Sequence, residues 1–414
     1  MRFINPGRVD GECRAPSSKS EMQRAVAAAF LAEGESHIFF QGLCEDSKAA
    51  LDVVRMLGAS VILEDGRVSI GGRRSMPAAA LDCGESGLCL RMFAPIAALF
   101  DREITLTAKG SLLGRPVSMV ETALKNAGAL ARSRNGYPPL TVKGPLTGGR
   151  IGLDGSLSSQ HVTGFLMALP AVGGNSELVV ADLRSSPYLC LTLAVMRAFG
   201  VRADADFGNG RFAIPGGQAY RPGNHRIEGD WSAAAFLLVA GAVAGRVTVT
   251  DLDLESHQAD REIINVLKGC GADVSFGRDS VSASRRPLSA FDFDAVDAPD
   301  LIPPLAVLAC YCRGTSRIGG AGRLRHKESD RAQALVDTLG RMGGRVRIEG
   351  DHLLVTGTDL RGGRVGSHRD HRIAMAAAVA ALGSGEGAEI EEPECVAKSY
   401  PRFFHDLEQL KAGG

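Results

Sequence analysis

A glycine recurs along this chain at a nearly constant interval, and each copy falls between a helix-like segment and a strand-like segment. The copies stand about 71 residues apart, too long a period for one helix or one hairpin. They are Gly58, Gly128, Gly200, Gly271, Gly343 and Gly413. Such a period is typical of a supersecondary unit that is repeated along the chain. The sequence therefore predicts six copies of one unit.

The first copy shows the order of elements that we expect in every unit. Ser20 followed by Gln23 is a capping-box pattern, which predicts a helix over 21–32. Gly58 is expected to cap the second helix of the unit at its C-terminal end. The other predicted elements are a strand over 36–43, a helix near 47–57, a hairpin over 60–64 and 67–70, and later strands over 103–108, 177–182, 246–252, 315–319 and 388–392.

Six such units, built of strands and helices in alternation, predict an α/β protein with three units in each of two domains. The boundary is expected just before Asp230, where the fourth unit opens. The first dozen residues precede the first unit, and we expect them to return to the second domain as an extra strand. The predicted domains are therefore 14–227, and 1–13 together with 228–414.

The charge balance and the cysteines narrow the class of protein. Lys and Arg number 47, as do Asp and Glu, so the formal net charge is zero. A general nucleic-acid binder or a polybasic membrane binder would carry a basic excess, so neither is expected. The scattered cysteines form no CxxC pair, which predicts reduced thiols in a cytoplasmic protein and no metal site. No apolar run reaches the roughly 18 residues of a membrane span, and no signal peptide is expected at the N-terminus.

Polar and charged residues recur at two fixed distances before each repeated glycine, here called the first and the second phase. Both phases fall at or just before the start of a predicted helix. The first phase carries Lys19-Ser20, Ser86-Gly87, Ser159-Gln160, Ser232, Ile302 just after Asp300, and Arg372. The second phase carries Asp46, Arg115, Tyr188, Gln258, Asp330 and Tyr400. Free N–H groups and the positive dipole end of a helix favour anions. The units are therefore predicted to converge on a small, highly charged ligand.

Cations make up most of this set, and they are Lys19, Arg24, Arg115, Lys327, Arg331, Arg372 and Lys398. Any one of them alone is explained as a solvated surface charge or a helix-end ion pair. Because the cations recur near the same positions of successive repeats, they favour a binding site instead. Arg recognises carboxylate or phosphate through two parallel bonds, and Lys supplies a point charge. A ligand with one carboxylate and one phosphate needs several such partners.

Neutral donors and acids accompany the cations. Ser158-Ser159-Gln160 and Ser185-Ser186-Pro187-Tyr188 suit a second ligand that is rich in hydroxyls, although ordinary helix capping also explains them. Asp300 and Glu328 stand at the same helix starts. Acids in this position either neutralise the neighbouring cations or transfer protons, and the sequence leaves both interpretations open.

Short segments spread over the whole chain match one known family in order, spacing and chemistry. They are Pro16-Ser17-Ser18-Lys19-Ser20 with Arg24, Gly114-Arg115-Pro116, Tyr137-Pro138-Pro139-Leu140, Asp154 to Gln160, Glu228-Gly229-Asp230, Lys327-Glu328-Ser329-Asp330-Arg331, Asp370-His371-Arg372 and Ala397-Lys398-Ser399. From about residue 14 to 405, the chain resembles the 5-enolpyruvylshikimate-3-phosphate (EPSP) synthases of the shikimate pathway. The resemblance implies a two-domain inside-out α/β barrel of six βαβαββ repeats, three per domain.

The resemblance also implies an activity. Such an enzyme transfers the enolpyruvyl group of phosphoenolpyruvate to the 5-hydroxyl of shikimate 3-phosphate and releases phosphate. These two small molecules would be its partners, with no metal, no organic cofactor, no nucleic acid and no membrane, and the protein would be a monomer in the cytoplasm.

The family's site residues carry over to matching positions of this chain. Asp300 would take the proton of the 5-hydroxyl, Glu328 would handle protons at the enol methylene carbon, and Lys19 would also be catalytic. Phosphoenolpyruvate would be held by Lys19, Gly87, Arg115, Gln160, Arg331, Arg372 and Lys398. Shikimate 3-phosphate would be held by Lys19, Ser20, Arg24, Ser158, Ser159, Gln160, Ser185, Tyr188, Asp300, Arg323 and Lys327.

The chain departs from the family pattern at a few of these positions. Ser17 stands where the first motif usually has Gly, and Arg323 stands in place of an Asn. Glu85 and Leu88 stand where the family's Asn-Ala-Gly-Thr motif has Asn and Thr, although Gly87 is kept. These departures are expected to change the shape of the phosphoenolpyruvate pocket rather than the class of reaction.

Two alternatives remain open from the sequence. The first is the sister enzyme that transfers enolpyruvate to UDP-N-acetylglucosamine, which usually carries a Cys in the loop before its Arg-Pro. Ala108 to Gly114 contain no Cys, which favours the shikimate enzyme. The second alternative is a non-catalytic, repeat-built clamp that binds anions, and the zero net charge argues against it.

Overall fold

A computed structural model describes residues 1–73, 76–156 and 158–412. The chain divides into two compact units, an N-terminal unit of Ser17–Ile227 and a C-terminal unit of Met1–Pro16 with Glu228–Gly414. Whether each unit folds on its own as a domain stays a prediction. Among the helices of the described ranges, none combines the length and apolar character needed to cross a membrane.

The elements follow one another in the order that the repeat predicts. The chain begins with β1 (Arg2–Ile4) and β2 (Val9–Arg14) of the C-terminal unit. The N-terminal unit comprises α1 (Lys19–Leu31), β3 (Glu35–Phe39), α2 (Glu45–Met56), β4 (Ala59–Glu64), β5 (Arg67–Arg73), β6 (Ala80–Asp82), α3 (Gly87–Ala97), β7 (Ile104–Thr107), α4 (Ser118–Asn126), β8 (Leu130–Arg134), β9 (Tyr137–Lys143), β10 (Gly149–Asp154), α5 (Gln160–Ala168), β11 (Ser176–Ala181), α6 (Ser186–Ala198), β12 (Asp204–Asp206), β13 (Arg211–Ile214) and β14 (Asn224–Arg226).

The C-terminal unit continues the same alternation. It comprises α7 (Trp231–Ala244), β15 (Gly245–Thr250), α8 (Ile263–Gly269), β16 (Asp273–Phe276), β17 (Ser280–Ser284), β18 (Asp292–Asp294), α9 (Ile302–Cys310), β19 (Thr315–Gly319), α10 (Arg331–Arg341), β20 (Arg345–Glu349), β21 (His352–Thr356), β22 (Gly363–Gly366), α11 (His371–Leu382), β23 (Ala388–Glu391) and α12 (Phe403–Ala412). The strands predicted over 103–108, 177–182, 246–252, 315–319 and 388–392 are therefore confirmed to within two residues, whereas the strand predicted over 36–43 ends at Phe39.

Each repeat contributes one sheet, and the sheets share one topology. Five have four strands, in the orders β14-β3-β5-β4, β6-β7-β9-β8, β10-β11-β13-β12, β2-β15-β17-β16 and β18-β19-β21-β20. In these sheets the first two strands are parallel and the next pairs are antiparallel. The sixth sheet, β22-β23-β1, has three strands, and β1 pairs antiparallel with β23. The first two strands of the chain thus complete two sheets of the C-terminal unit, as the extra-strand prediction requires.

The first helix of each repeat lies buried among its neighbours. All residues of α3 and α9 are buried, and α7 is apolar around nearly its whole circumference, as a helix enclosed on all sides must be. In the C-terminal unit α7, α9 and α11 pack against one another, and in the N-terminal unit α3 packs against α1 and α5. Small residues make this possible: a Cβ on Gly164 of α5 would lie 2.7 Å from the carbonyl oxygen of Met92 in α3. Each unit therefore has helices inside and sheets around them.

The repeated glycines end the second helix of each repeat. Gly58, Gly128, Gly200, Gly271 and Gly343 each lie two residues past a helix end with a positive φ, between +81° and +102°. A residue with a Cβ rarely adopts this conformation, which explains why glycine recurs at this step. The prediction is confirmed for these copies, and the sixth, Gly413, lies outside the described residues.

The start of α1 differs from the capping box that the sequence suggested. Ser18, not Ser20, is the N-cap, and its Oγ accepts a hydrogen bond from Glu21 N at 3.3 Å. Ser18-x-x-Glu21 is itself a capping-box pattern that overlaps the one starting at Ser20. The helix begins at the earlier of the two patterns. Lys19 and Ser20 consequently lie in the first turn of the helix, where the free N–H groups are.

Candidate active site

The buried helices of the N-terminal unit begin at the positions where the sequence predicts binding residues. The N-cap Ser86 of α3 accepts a hydrogen bond from Cys89 N at 3.3 Å and donates one to Gln23 Oε1 at 2.9 Å. Because Gln23 belongs to α1, this bond ties the starts of α1 and α3 together. Two helix N-termini, with their dipoles and free N–H groups, therefore lie side by side.

Gly87 lies at the start of α3 against two guanidinium groups. A Cβ at Gly87 would stand 2.8 Å from Nη1 of Arg91 and 2.9 Å from Nη1 of Arg115. Both arginines are buried, Arg115 with 9% of its surface exposed. Arg91 Nη1 donates to Gln160 Oε1 at 3.0 Å, and its Nη2 donates to Pro116 O at 2.8 Å. The structure thus brings Gly87, Arg115 and Gln160 of the predicted set together around a helix N-terminus, and adds Arg91.

Lys19 meets an acid that the sequence analysis placed in the second phase without giving it a role. Its Nζ lies 3.0 Å from Asp46 Oδ2, and both side chains are largely buried. Asp46 lies in the first turn of α2, where its charge is favourable to the helix dipole. The ammonium group is therefore held at a fixed place next to the start of α1.

Arg24 is enclosed and makes hydrogen bonds to groups of three helices. Its Nε donates to Thr192 Oγ1 at 2.8 Å, its Nη1 to Ser20 O at 2.7 Å, and its Nη2 to Thr163 Oγ1 at 3.3 Å and to Tyr188 O at 3.2 Å. Burial lowers the pKa of Arg24 to about 10. The guanidinium thus fixes α1 against α5 and α6, close to the hydroxyls that the sequence predicts as ligands.

The predicted neutral donors of the N-terminal unit lie at the starts of α5 and α6, where Ser159 and Ser185 are the N-cap residues but make no side-chain capping bond. Ser158 Oγ accepts a hydrogen bond from Gln160 N at 3.2 Å. Ser159 is buried at the start of α5, and Ser185 precedes α6 with a positive φ of +58°. Tyr188 N donates to Ser185 O at 3.1 Å. The capping interpretation therefore holds for Ser158, and the strained conformation of Ser185 marks a loop that its surroundings fix in place.

In the C-terminal unit, Asp300 lies among three cations. Its carboxylate oxygens stand 2.9 Å from Arg331 Nη1, 3.0 Å from Arg372 Nη2 and 3.5 Å from Lys327 Nζ. Burial alone would raise the pKa of this carboxyl, but Arg372, Lys327 and Arg331 together hold it well below its usual range. Asp300 is therefore ionised at neutral pH and can accept a hydrogen bond or a proton.

Arg331 is the centre of this cluster, with 1% of its surface exposed. Besides Asp300, it contacts Asp370 Oδ2 through Nε at 2.8 Å and Glu328 Oε2 through Nη2 at 2.5 Å. Burial would lower the pKa of Arg331, but Asp370, Glu328 and Asp300 raise it above its ordinary value. One buried cation thus contacts three acids and fixes their positions, while Arg372, Lys327 and Lys398 supply further positive charge beside Asp300 and Glu328.

The other predicted residues of the C-terminal unit are Lys398, Arg372 and Arg323, and each has different contacts. Lys398 Nζ lies 3.9 Å from Glu328 Oε1, which places a second cation beside that acid. Arg372 also donates from Nη1 to Asp300 O at 3.4 Å. Arg323 donates from Nη1 to the carbonyl of Val296, so this departure from the family pattern has a bond within its own unit.

Two acids of this cluster were missed by the residue assignments. Asp370 is fully buried, and it accepts bonds from Arg331 and, at 2.9 Å, from Arg372 N. Its N-cap position before α11 is the signal that could have singled it out. Asp260 is also buried and accepts a bond from Ser232. Burial, and then the charge of Asp300, raise the pKa of Asp260 to about 6. Gln258 of the second phase lies two residues before Asp260, but only the contacts in the fold single out the acid itself.

The repeat fold and these clusters are typical of an enzyme that acts on small anionic substrates: cations lie at buried helix starts, and several carboxylates lie among them. The chain belongs to the EPSP synthase family, whose family model, EPSP synthase (3-phosphoshikimate 1-carboxyvinyltransferase), matches residues 4–407.

Relatives with this name share more than a third of their residues with the chain. A 3-phosphoshikimate 1-carboxyvinyltransferase of Clostridium novyi is 36% identical, over 99% of this chain and 97% of the relative. One of Methanocorpusculum labreanum is 37% identical, over 99% and 98%. The solved EPSP synthase of Acinetobacter baumannii is similar in fold, with a TM-score of 0.84 at 27% identity over 99% of this chain and 98% of that chain. The two-domain inside-out α/β fold implied by the resemblance is that of this family.

Proposed function

We propose that this protein transfers the enolpyruvyl group of phosphoenolpyruvate to the 5-hydroxyl of shikimate 3-phosphate and releases phosphate, in aromatic amino acid biosynthesis. The observation that carries the proposal is the match to the family over residues 4–407. The cation clusters at the buried helix starts support it, because both substrates are anions with a phosphate and a carboxylate.

The residues proposed to hold phosphoenolpyruvate are cations and helix-start residues. They are Lys19, Gly87, Arg115, Gln160, Arg331, Arg372 and Lys398. The contact of Arg115 with the Gly87 position supports the assignment, since a guanidinium and free helix N–H groups at one place bind phosphate or carboxylate well.

The residues proposed to hold shikimate 3-phosphate mostly carry hydroxyl or cationic groups. The proposed residues are Lys19, Ser20, Arg24, Ser158, Ser159, Gln160, Ser185, Tyr188, Asp300, Arg323 and Lys327. For Arg24 the bonds to Ser20 and Tyr188 favour a role in holding these groups in position. For Arg323 the bond to the carbonyl of Val296 favours a role in holding its own loop in position.

The proposed chemistry uses Asp300 and Glu328, with Lys19 beside the reacting groups. As the 5-hydroxyl oxygen bonds to the carbon that bears the phosphate, Asp300 takes the hydroxyl proton. The methylene carbon gains a proton, and it loses one again when the carbon–oxygen bond to phosphate breaks. Glu328 handles both transfers at the methylene carbon. The hydroxyl proton held by Asp300 leaves with the released phosphate, so bonds and protons balance, and no redox step is needed.

The electrostatics of Asp300 link substrate binding to this step. Three cations hold its pKa well below the usual range, which makes it a weak base in the free protein. When the phosphate and carboxylate of the substrates bind to Arg331, Arg372 and Lys327, they offset part of that positive charge. The pKa of Asp300 then rises, and the carboxylate becomes a better proton acceptor in the presence of substrate.

The two alternatives receive less support. Curated relatives carry the name 3-phosphoshikimate 1-carboxyvinyltransferase, not that of a UDP-N-acetylglucosamine transferase. A non-catalytic clamp does not require the acids Asp300 and Glu328 among the cations. We further propose a monomeric, cytoplasmic enzyme without metal or organic cofactor. The free state of the cysteines, six of them buried, supports a reducing compartment.

The proposal is tested by measuring phosphate release from phosphoenolpyruvate with shikimate 3-phosphate, with UDP-N-acetylglucosamine as the competing acceptor. We expect release only with shikimate 3-phosphate. Release with UDP-N-acetylglucosamine instead would favour the sister enzyme. No release with either acceptor, together with salt-sensitive binding of nonspecific DNA, would favour the clamp.

Gly87→Ala is expected to raise the KM for phosphoenolpyruvate by about tenfold or more, because the new Cβ displaces the guanidinium groups of Arg91 and Arg115. Arg91 has little freedom to retreat, since Gln160 and the carbonyl of Pro116 hold it. Steady-state kinetics with varied phosphoenolpyruvate measures the effect.

The matched control is Gly114→Ala in the loop before Arg115, where a Cβ meets nothing within 4 Å. This variant should keep the wild-type KM. Equal KM values for the Gly87 and Gly114 variants would contradict the assignment of Gly87 to the phosphoenolpyruvate site.

A further inference from the structure

Two segments that lead to the Gly87 site are bonded to each other. The entry turn, Asp82–Ser86, runs into α3, and the arginine loop, Lys109–Arg115, ends at the Arg115 guanidinium. Lys109 N donates to Gly84 O at 2.8 Å, and Lys109 Nζ lies 2.5 Å from Asp82 Oδ2. The first residue of the loop is thus fixed to the turn through its backbone and its side chain.

Glu85 makes the next connection, at the position where the family motif has Asn. Ser111 N donates to Glu85 Oε2 at 3.1 Å, and Ser111 Oγ donates to the same oxygen at 3.0 Å. Gly110 lies between with a φ of +50°, and a Cβ on it would overlap the Glu85 carboxylate. The loop is therefore shaped around this carboxylate, which points at Ser111 and satisfies both of its donors.

The arginine loop ends at Arg115, whose guanidinium belongs to the Gly87 site. Arg115 N donates to Leu112 O at 3.1 Å, so the short helical turn Gly110–Gly114, which contains Ser111, also sets the backbone of Arg115. Its Nη1 then reaches the place where a Cβ on Gly87 would stand, at 2.9 Å. A shift of the loop at Ser111 would move this guanidinium away from the start of α3.

We infer that Glu85 is a positioning residue for phosphoenolpyruvate: by holding Ser111 it keeps Arg115 beside Gly87. The inference rests on the proposed function for the identity of the ligand, but not for the geometry of the loop. It also accounts for the departure from the family pattern, because the negative charge is turned to two hydrogen-bond donors of the loop. Leu88, the neighbouring departure, is buried in the hydrophobic core and fills space there.

The first test compares Glu85→Ala with Glu103→Ala, an exposed acid of the same unit that pairs with Arg132. Loss of the charge-assisted bonds to Ser111 should raise the KM for phosphoenolpyruvate by about tenfold in the Glu85 variant. The KM for shikimate 3-phosphate and kcat should change by less than about twofold. Glu103→Ala should match wild type throughout. A general structural defect would instead lower kcat and the midpoint of unfolding together.

A double-mutant cycle shows whether Glu85 acts through the loop. Ser111→Ala removes one donor, and its effect on the KM should not add to that of Glu85→Ala, because both changes break the same contact. Glu85→Gln keeps an acceptor oxygen and should recover most of the wild-type KM. Full additivity in the cycle would overturn the inference.

Amide hydrogen exchange over 109–115 supplies a reading that does not depend on activity. Glu85→Ala should speed exchange in this loop, and Glu103→Ala should not. If the wild-type protein releases no phosphate from the two substrates, the proposed function fails while the exchange result still decides the role of Glu85. Unchanged exchange together with an unchanged KM would falsify the inference.

Discussion

Asp300→Asn and Glu328→Gln should each lower kcat by about 100-fold or more while largely sparing substrate binding, because each removes a group that moves a proton. The amides keep the size of the acids and can still accept a hydrogen bond from Arg331. Steady-state phosphate release, with a binding measurement for shikimate 3-phosphate, separates the two effects.

The control for these variants is Asp292→Asn, an exposed acid on β18 of the same unit. It should retain wild-type kcat. Thermal unfolding of all three variants checks that a loss of turnover is not a loss of fold. If Asp300→Asn and Glu328→Gln both turn over at nearly the wild-type rate, the proton-transfer roles are wrong, and the acids serve only to neutralise the cations.

Arg331→Met should reduce the free energy of unfolding by about 3–5 kcal/mol, because it leaves buried acids without their shared cation. Asp370 is fully buried and would lose its bonds from Nε and Nη2 of Arg331. Glu328 and Asp300 would lose the same partner. Denaturant unfolding of variant and wild type gives the difference directly.

Arg347→Met is the matched control, since Arg347 is exposed on β20 and its contact with Glu349 lies at the surface. This change should alter the free energy of unfolding by less than about 1 kcal/mol. Arg331→Lys should fall between the two, because a single ammonium cannot contact three carboxylates as a guanidinium fork does. A loss below about 1 kcal/mol in Arg331→Met would show that the acids find other partners.

The repeat, and the recurrence of polar and charged residues at fixed positions within it, could be predicted from the sequence because both depend on local rules. A glycine two residues past a helix end reports a backbone conformation, so Gly58 and its counterparts are visible without the structure. The cations at helix starts are visible for a similar reason, since the start of a helix favours polar residues of known kinds. Their assignment to individual substrates stays a prediction.

Tertiary partners could not be predicted in the same way. Arg331 falls in the predicted phase, but its contacts with Asp370, Glu328 and Asp300 depend on how separate repeats pack together. The sequence predicts Arg24 as one more cation for a ligand, and only the structure shows that Arg24 donates hydrogen bonds to Thr192 Oγ1 and Tyr188 O. The choice between Ser18 and Ser20 as N-cap was also beyond the sequence, because the two capping patterns overlap.

The first strands of the chain complete sheets whose other strands lie far along it. β2 pairs in parallel with β15, and β1 pairs with β23, near the end of the chain. Helix α12 packs on β2, and Lys411 Nζ donates to the carbonyl of Asn5 at 3.2 Å. The two ends of the C-terminal unit therefore hold each other in place.

The pairing of the first strands with strands far along the chain determines the order in which parts of the protein can fold during synthesis on the ribosome. The N-terminal unit is one continuous stretch, Ser17–Ile227, so all its strands and helices have emerged before the C-terminal unit is half made. β1 is made before β2 and the N-terminal unit, but its partner strand, Ala388–Glu391, emerges much later, so β1 stays unpaired until then. A nascent chain stalled before residue 388 should thus leave β1 open to protease while the N-terminal unit is already folded, and β1 should become protected only after Ala388–Glu391 has emerged.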